Sequence, residues 1–190
     1  MAQRRDDAGD GAARERTGGR GTVFAALAGT LIGAVAGLTG SLLGYLEAKD
    51  THRSEADARR ADIRRTAYVE LAASISKYEQ QATQLLNVSL DPARTAEEER
   101  RQFEDKYAPA NTDLSRAITT VRLVAPKDAR RDLEELEARS ARVGELASNW
   151  YGKGPEGVDL RKVEAEFDEA TKRQLASLQE FMDKAADQAL

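Results

Sequence analysis

The chain holds one histidine, His52, and no cysteine, which leaves few residues able to do chemistry. Zinc sites need several thiolates or imidazoles, and an activated nucleophile needs a base beside it. Both are all but excluded here. His52 alone can titrate near neutral pH, but a single imidazole in a polar stretch reads as incidental. Glu97, Glu98 and Glu99, followed by Arg100 and Arg101, are the densest group of carboxylates. Paired carboxylates can do general acid–base work. Acids in a first helical turn also face the positive end of the helix dipole, and an ordinary solvated helix start explains these better. Gly152-Lys153-Gly154 hints at a phosphate cradle. It lacks the spacing of GxxxxGK[ST] or GxGxxG, and no strand precedes it. Arg4-Arg5 has the look of a twin-arginine export signal. The acids around it and its distance from any apolar run make it part of a solvated tail. The residues offer no catalytic, cofactor or metal site, and the expectation is a protein that is not an enzyme.

Charge narrows the class further. Residues 66–190 hold 18 Lys/Arg against 24 Asp/Glu, a net of −6 within a chain of net −4. An acidic domain argues against nucleic acid as a partner, because phosphate backbones need a basic face. Zero cysteines suits either side of a membrane.

The elements that would carry any function begin with residues 1–21, polar, glycine-rich and without apolar periodicity, and expected to be disordered. Residues 21–46 then run 26 positions without a charge, GTVFAALAGTLIGAVAGLTGSLLGYL. As a helix that run is about 39 Å long, enough for a hydrocarbon core of about 30 Å. The spacing predicts a transmembrane helix over 22–46, with Tyr45 at the interface. A helix this long and apolar all round rarely hides inside a small soluble domain. Ala34-Val35-Ala36 resembles a signal-peptide cleavage site. The apolar run continues through Leu38, Leu42, Leu43 and Leu46, so the segment is expected to stay attached.

Ala26, Thr30, Gly33, Gly37, Gly40 and Gly44 recur at spacings of four and three, on one face of that helix. In lipid, helices associate by close backbone approach rather than by hydrophobic drive, and small residues permit it. The stripe is therefore the candidate helix–helix interface of a homo-oligomer. Glycine is also simply frequent in membrane helices.

Residues 47–65 carry six Lys/Arg and five Asp/Glu, with no glycine or proline. Opposite charges sit three or four apart, as in Glu55/Arg59 and Asp57/Arg60, and such pairs support an exposed helix. No apolar heptad runs through it. The reading is a charged helical stalk of about 30 Å. Its interleaved acids cancel most attraction to lipid headgroups.

From residue 66 the pattern turns amphipathic and stays so to residue 190. Ala67, Leu71, Ile75, Tyr78, Ala82 and Leu85 form one stripe. Thr95 and Glu98 make a capping box before a second, Phe103, Tyr107, Ala110, Leu114, Ala117, Val121 and Val124. Pro109 falls inside it, so a kink or break is expected around residues 107–110. Pro126 opens a third helix with Ala129, Leu133, Leu136, Ser140, Val143, Ala147 and Trp150. After GKGPEG comes a fourth, with Leu160, Val163, Phe167, Ala170, Leu178, Phe181 and Ala185, interrupted by Gln174. The fold expected is all-α: one N-terminal transmembrane helix, a helical stalk, and an antiparallel bundle of about four helices.

The glycine-rich span, the continuation RSEADARRADIRRTAYVEL and the segment Val121–Pro126 (VRLVAP) resemble small single-span membrane proteins of actinobacteria with an Ala/Arg-rich helical domain. That family brings no catalytic residues to carry over. The resemblance implies a single-pass protein of the cell membrane. Basic residues nearly tie across the span, five before and six after. The resemblance places the C-terminal domain in the cytoplasm. The leading function is a membrane-anchored interaction or scaffold module, with the lipid bilayer, a second copy and an unidentified protein as partners. An extracytoplasmic signal-sensing bundle and a pore-forming or lytic span are the alternatives.

Overall fold

The computed structural model describes residues 55–188. The tail, the 22–46 run with its small-residue stripe, His52 and the first part of the stalk lie outside the described residues. Among those described there is no strand, and no helix is long and apolar enough to cross a membrane.

Helix α1 spans Glu55–Ser89. It contains no glycine or proline, and Glu55 and Asp57 sit in its first turn, where acids favour the dipole. The described part of the stalk and the first bundle helix are thus one rod. Burial begins at Ala67, one residue after the expected boundary. Of the stalk pairs, Asp57 and Arg60 close to 3.5 Å. The rod stops before Pro92, which cannot continue an α ladder. Asp91 instead accepts a bond from the Ala93 N–H at 2.8 Å and turns the chain.

A second rod contains α2 (Ala96–Arg101), a π-helical segment (Gln102–Tyr107) and α3 (Ala108–Val124). The capping box forms as expected: the Thr95 hydroxyl accepts from the Glu98 N–H, and the Glu98 carboxylate accepts from the Thr95 N–H at 2.9 Å. At Pro109 the helix does not break. Proline lacks the N–H that would bond the Asp105 carbonyl, and its ring would crowd that carbonyl. The turn just before it widens instead, and the Ala108 N–H reaches back five residues to Phe103. The wider turn keeps Glu99, Phe103 and Tyr107, spaced by four, on the inner side.

Ala125 and Pro126 are extended, and a single 3-10 turn (Lys127–Ala129) leads into α4 (Arg130–Ser148). Pro126 therefore sits just before the helix rather than in its first turn. After a loop over residues 149–159, α5 spans Leu160–Gln188.

Cross-links fix the topology. Lys77 of α1 meets Asp113 of α3 at 2.8 Å, and Arg122 of α3 pairs with Glu137 of α4. Lys184 of α5 meets Asp132 of α4 at 2.8 Å. Successive rods are antiparallel, up-down-up-down, so α1 and α4 run parallel. The closest packing joins α4 to α5 and α1 to α3, and α1 also packs along α4. The α1–α4 pair is the short diagonal of the bundle. All six stripe residues expected on α1 are buried, and the other three stripes line the same core except at Leu160, which stays outside it.

Candidate functional site

The α1–α4 diagonal is tight because α4 carries Gly144 there. A β-carbon at Gly144 would lie 2.1 Å from the Tyr78 hydroxyl and 2.7 Å from that of Tyr107. The missing side chain is what lets two phenols enter the core. Tyr78 donates to the Ser140 carbonyl at 3.1 Å. That carbonyl can only accept, so Tyr78 spends its one hydroxyl hydrogen there, and Tyr107, 3.4 Å away, donates to Tyr78. The Ser140 hydroxyl donates to the Leu136 carbonyl at 2.8 Å and accepts from the Gln174 amide at 2.8 Å. A belt of polar groups therefore crosses all four rods at one level. Burial raises the pKa of both Tyr78 and Tyr107, so both stay neutral phenols.

Gln174, the residue that interrupts the last stripe, is fully buried and belongs to this belt. Its carbonyl oxygen has no partner. Glu79 adds a second buried acceptor at about this level. It is 3% exposed, and one of its carboxyl oxygens has no partner. Desolvation pushes its pKa from 4.5 to about 8. It shares a face of α1 with Tyr68, three turns earlier. Tyr68 meets Phe181 of α5 edge-on, with ring centroids 5.4 Å apart. A neutral carboxylic acid so placed is a hydrogen-bond donor sealed from solvent.

A second polar cluster ties the connections together at the far end. Glu99 is buried and accepts from the Gly152 N–H at 2.9 Å and from Arg94 at 3.2 Å. Burial works against its anion, but the Gly152 N–H, the Ser89 hydroxyl and the Arg94 guanidinium together overcome it and hold its pKa below the usual carboxylate value. Gly154 adopts φ 78°, and a β-carbon there would lie 2.9 Å from the Arg94 guanidinium. Phe103 stacks on Tyr151, with centroids 4.4 Å apart. The Gly152-Lys153-Gly154 loop is thus clamped by a carboxylate. Its Gly152 N–H is already taken and is not offered to a phosphate.

Among the described residues, no group of three or more His, Cys, Asp or Glu could hold a metal ion. The acids Glu97, Glu98 and Glu99 do not act together: the first two are exposed and paired along their own helix, and the third faces inward. The expected helix–helix interface, Ala26, Thr30, Gly33, Gly37, Gly40 and Gly44, lies outside the described residues. Sequence reasoning named neither Glu79 nor the Glu99 clamp. The signal for Glu79 is its spacing of seven from Ala72 and from Leu86, a second apolar file along α1. The clamp joins residues 53 apart and leaves no local signature.

No protein-family model, curated protein or solved structure matches this chain significantly.

Proposed function

We propose that this protein is a non-enzymatic, membrane-anchored helical module that presents its bundle to a protein partner. The observation that carries the reading is the order of the chain: a 26-residue run without charge, then an exposed charged helix, then a closed core. The core supports a presenting role because its polar groups face inward rather than towards a ligand. Tyr107, Tyr78, Ser140 and Gln174 bond among themselves, and Glu79 is shut off from solvent. The outer faces are paired along helices by Arg139–Glu135 and Lys162–Glu166 and between helices by Lys77–Asp113 and Arg122–Glu137, the composition of a displayed surface. The single-pass arrangement, the cytoplasmic bundle and self-association through the Ala26, Thr30, Gly33, Gly37, Gly40 and Gly44 stripe are parts of the same proposal.

Fractionation of cells expressing the full chain tests it. The protein should stay in the membrane pellet through an alkaline carbonate wash and need detergent for release. Release by carbonate alone, or recovery in the soluble fraction, would overturn the anchored reading.

A further inference from the structure

A groove opens at the end of the bundle where α1 enters. Arg60, Ile63 and Arg64 of α1 line one side, and Val124 and Pro126 at the α3–α4 junction line the other. Ile63 is 56% exposed, and Leu123, next to Val124 in the chain, is 81% exposed. They are the large apolar side chains left open among the described residues. The surroundings are basic in a domain that is otherwise acidic. Residues 59–64 and 122–131 hold seven Lys/Arg (Arg59, Arg60, Arg64, Arg122, Lys127, Arg130, Arg131) against Asp62 and Asp128. Acids sit among these cations: Arg122 pairs with Glu137, Arg60 pairs with Asp57 at 3.5 Å, and Asp128 lies close enough to Tyr68 to act on it together with Arg64. The Arg60–Asp57 pair is largely exposed and the Arg122–Glu137 pair half-exposed, so both exchange for other anions at little cost.

Apolar side chains ringed by arginine and lysine are the composition of a surface that lies in a headgroup region. The chain itself says which surface is at hand. The uncharged run ends at Leu46, and only residues 47–54 separate it from Glu55. Eight residues reach at most about 27 Å. A bilayer holding that run is therefore tethered within range of the groove, and the tether makes docking an intramolecular event.

We propose that this end of the bundle docks on anionic lipid, with Ile63 and Leu123 in the interface and Arg60 and Arg64 against the headgroup charges. The inference rests on the anchored reading above. It lays the bundle on the membrane rather than holding it upright on a stalk.

Because the chain has no cysteine, Leu123→Cys gives a single labelling site for an environment-sensitive dye. Lys153→Cys, in the loop after α4, gives the control. Full-length protein goes into nanodiscs of phosphatidylcholine alone or with phosphatidylserine, and nitroxide-labelled lipid serves as quencher. Docking predicts quenching of the dye at 123 in anionic discs, little in neutral discs, and none at 153 in either. Arg60→Gln with Arg64→Gln should lower the docked-to-undocked ratio by roughly thirtyfold, at about 1 kcal/mol per cation. A dye at 123 that is unquenched in anionic discs, or quenched equally in neutral discs or in the double variant, refutes the docking while leaving the anchor intact. Protein that does not enter discs at all refutes both readings. Quenching at 153 as strong as at 123 refutes the assigned face.

Discussion

Replacing Glu79 by glutamine should make the bundle more stable in alkali and leave it nearly unchanged in acid. Glu79 is buried with an unpartnered oxygen, and its folded-state pKa is about 8 against an ordinary 4.5. Below pH 4.5 the carboxyl is protonated in both states, and burying it costs little beyond a hydrogen bond. As the pH rises from 4.5 towards 8, the unfolded chain releases this proton and the folded chain keeps it, so folding loses about 1.4 kcal/mol per pH unit. Above pH 8 both states are ionised and the loss levels off. The whole span of about 3.5 units amounts to roughly 5 kcal/mol. Glu79→Gln keeps the shape and removes the titration. Trp150 is the only tryptophan and packs against the core, so its emission reports unfolding of the bundle in the full, detergent-solubilised chain. Thermal melts at pH 5 and pH 9 give the difference between the two proteins at each pH. The Glu79→Gln midpoint should lie within a few degrees of wild type at pH 5 and exceed it by on the order of 10 °C at pH 9. Other acids titrate in both proteins and cancel. Parallel profiles for the two chains would show that Glu79 reaches water, and the sealed-carboxyl account would fail.

Gly144→Ala should destabilise by about 1–3 kcal/mol, although alanine is the better helix former, because the β-carbon displaces the two phenols of the belt. A variant more stable in denaturant titration would mean that the belt yields easily. Gln174→Leu removes a buried oxygen that has no partner and leaves Ser140 still donating to Leu136, so denaturant midpoints should stay level or rise. A loss above about 2 kcal/mol would show that the glutamine amide is needed. Arg94→Ala takes the cation from the buried Glu99 carboxylate, leaves it the Gly152 N–H, and should cost about 1.5–3 kcal/mol, whereas Arg101→Ala, on an exposed pair, should leave the midpoint almost unchanged. Equal effects from the two would remove the clamp from the account.

Much of the bundle was legible in the sequence because each helix shows one stripe of apolar side chains at spacings of three and four. Ala67, Leu71, Ile75, Tyr78, Ala82 and Leu85 are all buried, and Thr95 with Glu98 caps the second rod as its residue types demand. What escaped was the second buried file on α1, Tyr68, Ala72, Glu79 and Leu86. A helix with neighbours on three sides buries a wider face than one stripe, and a glutamate in that file reads as surface. Gln174 broke a stripe for the same reason: periodicity registers a polar residue as a defect, while the fold supplies it with Ser140 from another helix. Pro109 marked the right place but not the outcome, since proline can be met by a break, a kink or a widened turn. Gly144 carried no signal at all, because its meaning lies in two tyrosines on other elements.

Amide hydrogen exchange of the full chain in nanodiscs tests the central claim most directly, because it reads every segment of the architecture at once. An anchored bundle gives two slow blocks, residues 22–46 shielded by lipid and the core from Ala67 onward, separated by faster exchange in the charged segment between them. Exchange of the 22–46 run within seconds, with the core still protected, would show that this stretch is not in the bilayer and that the bundle is not an anchored module.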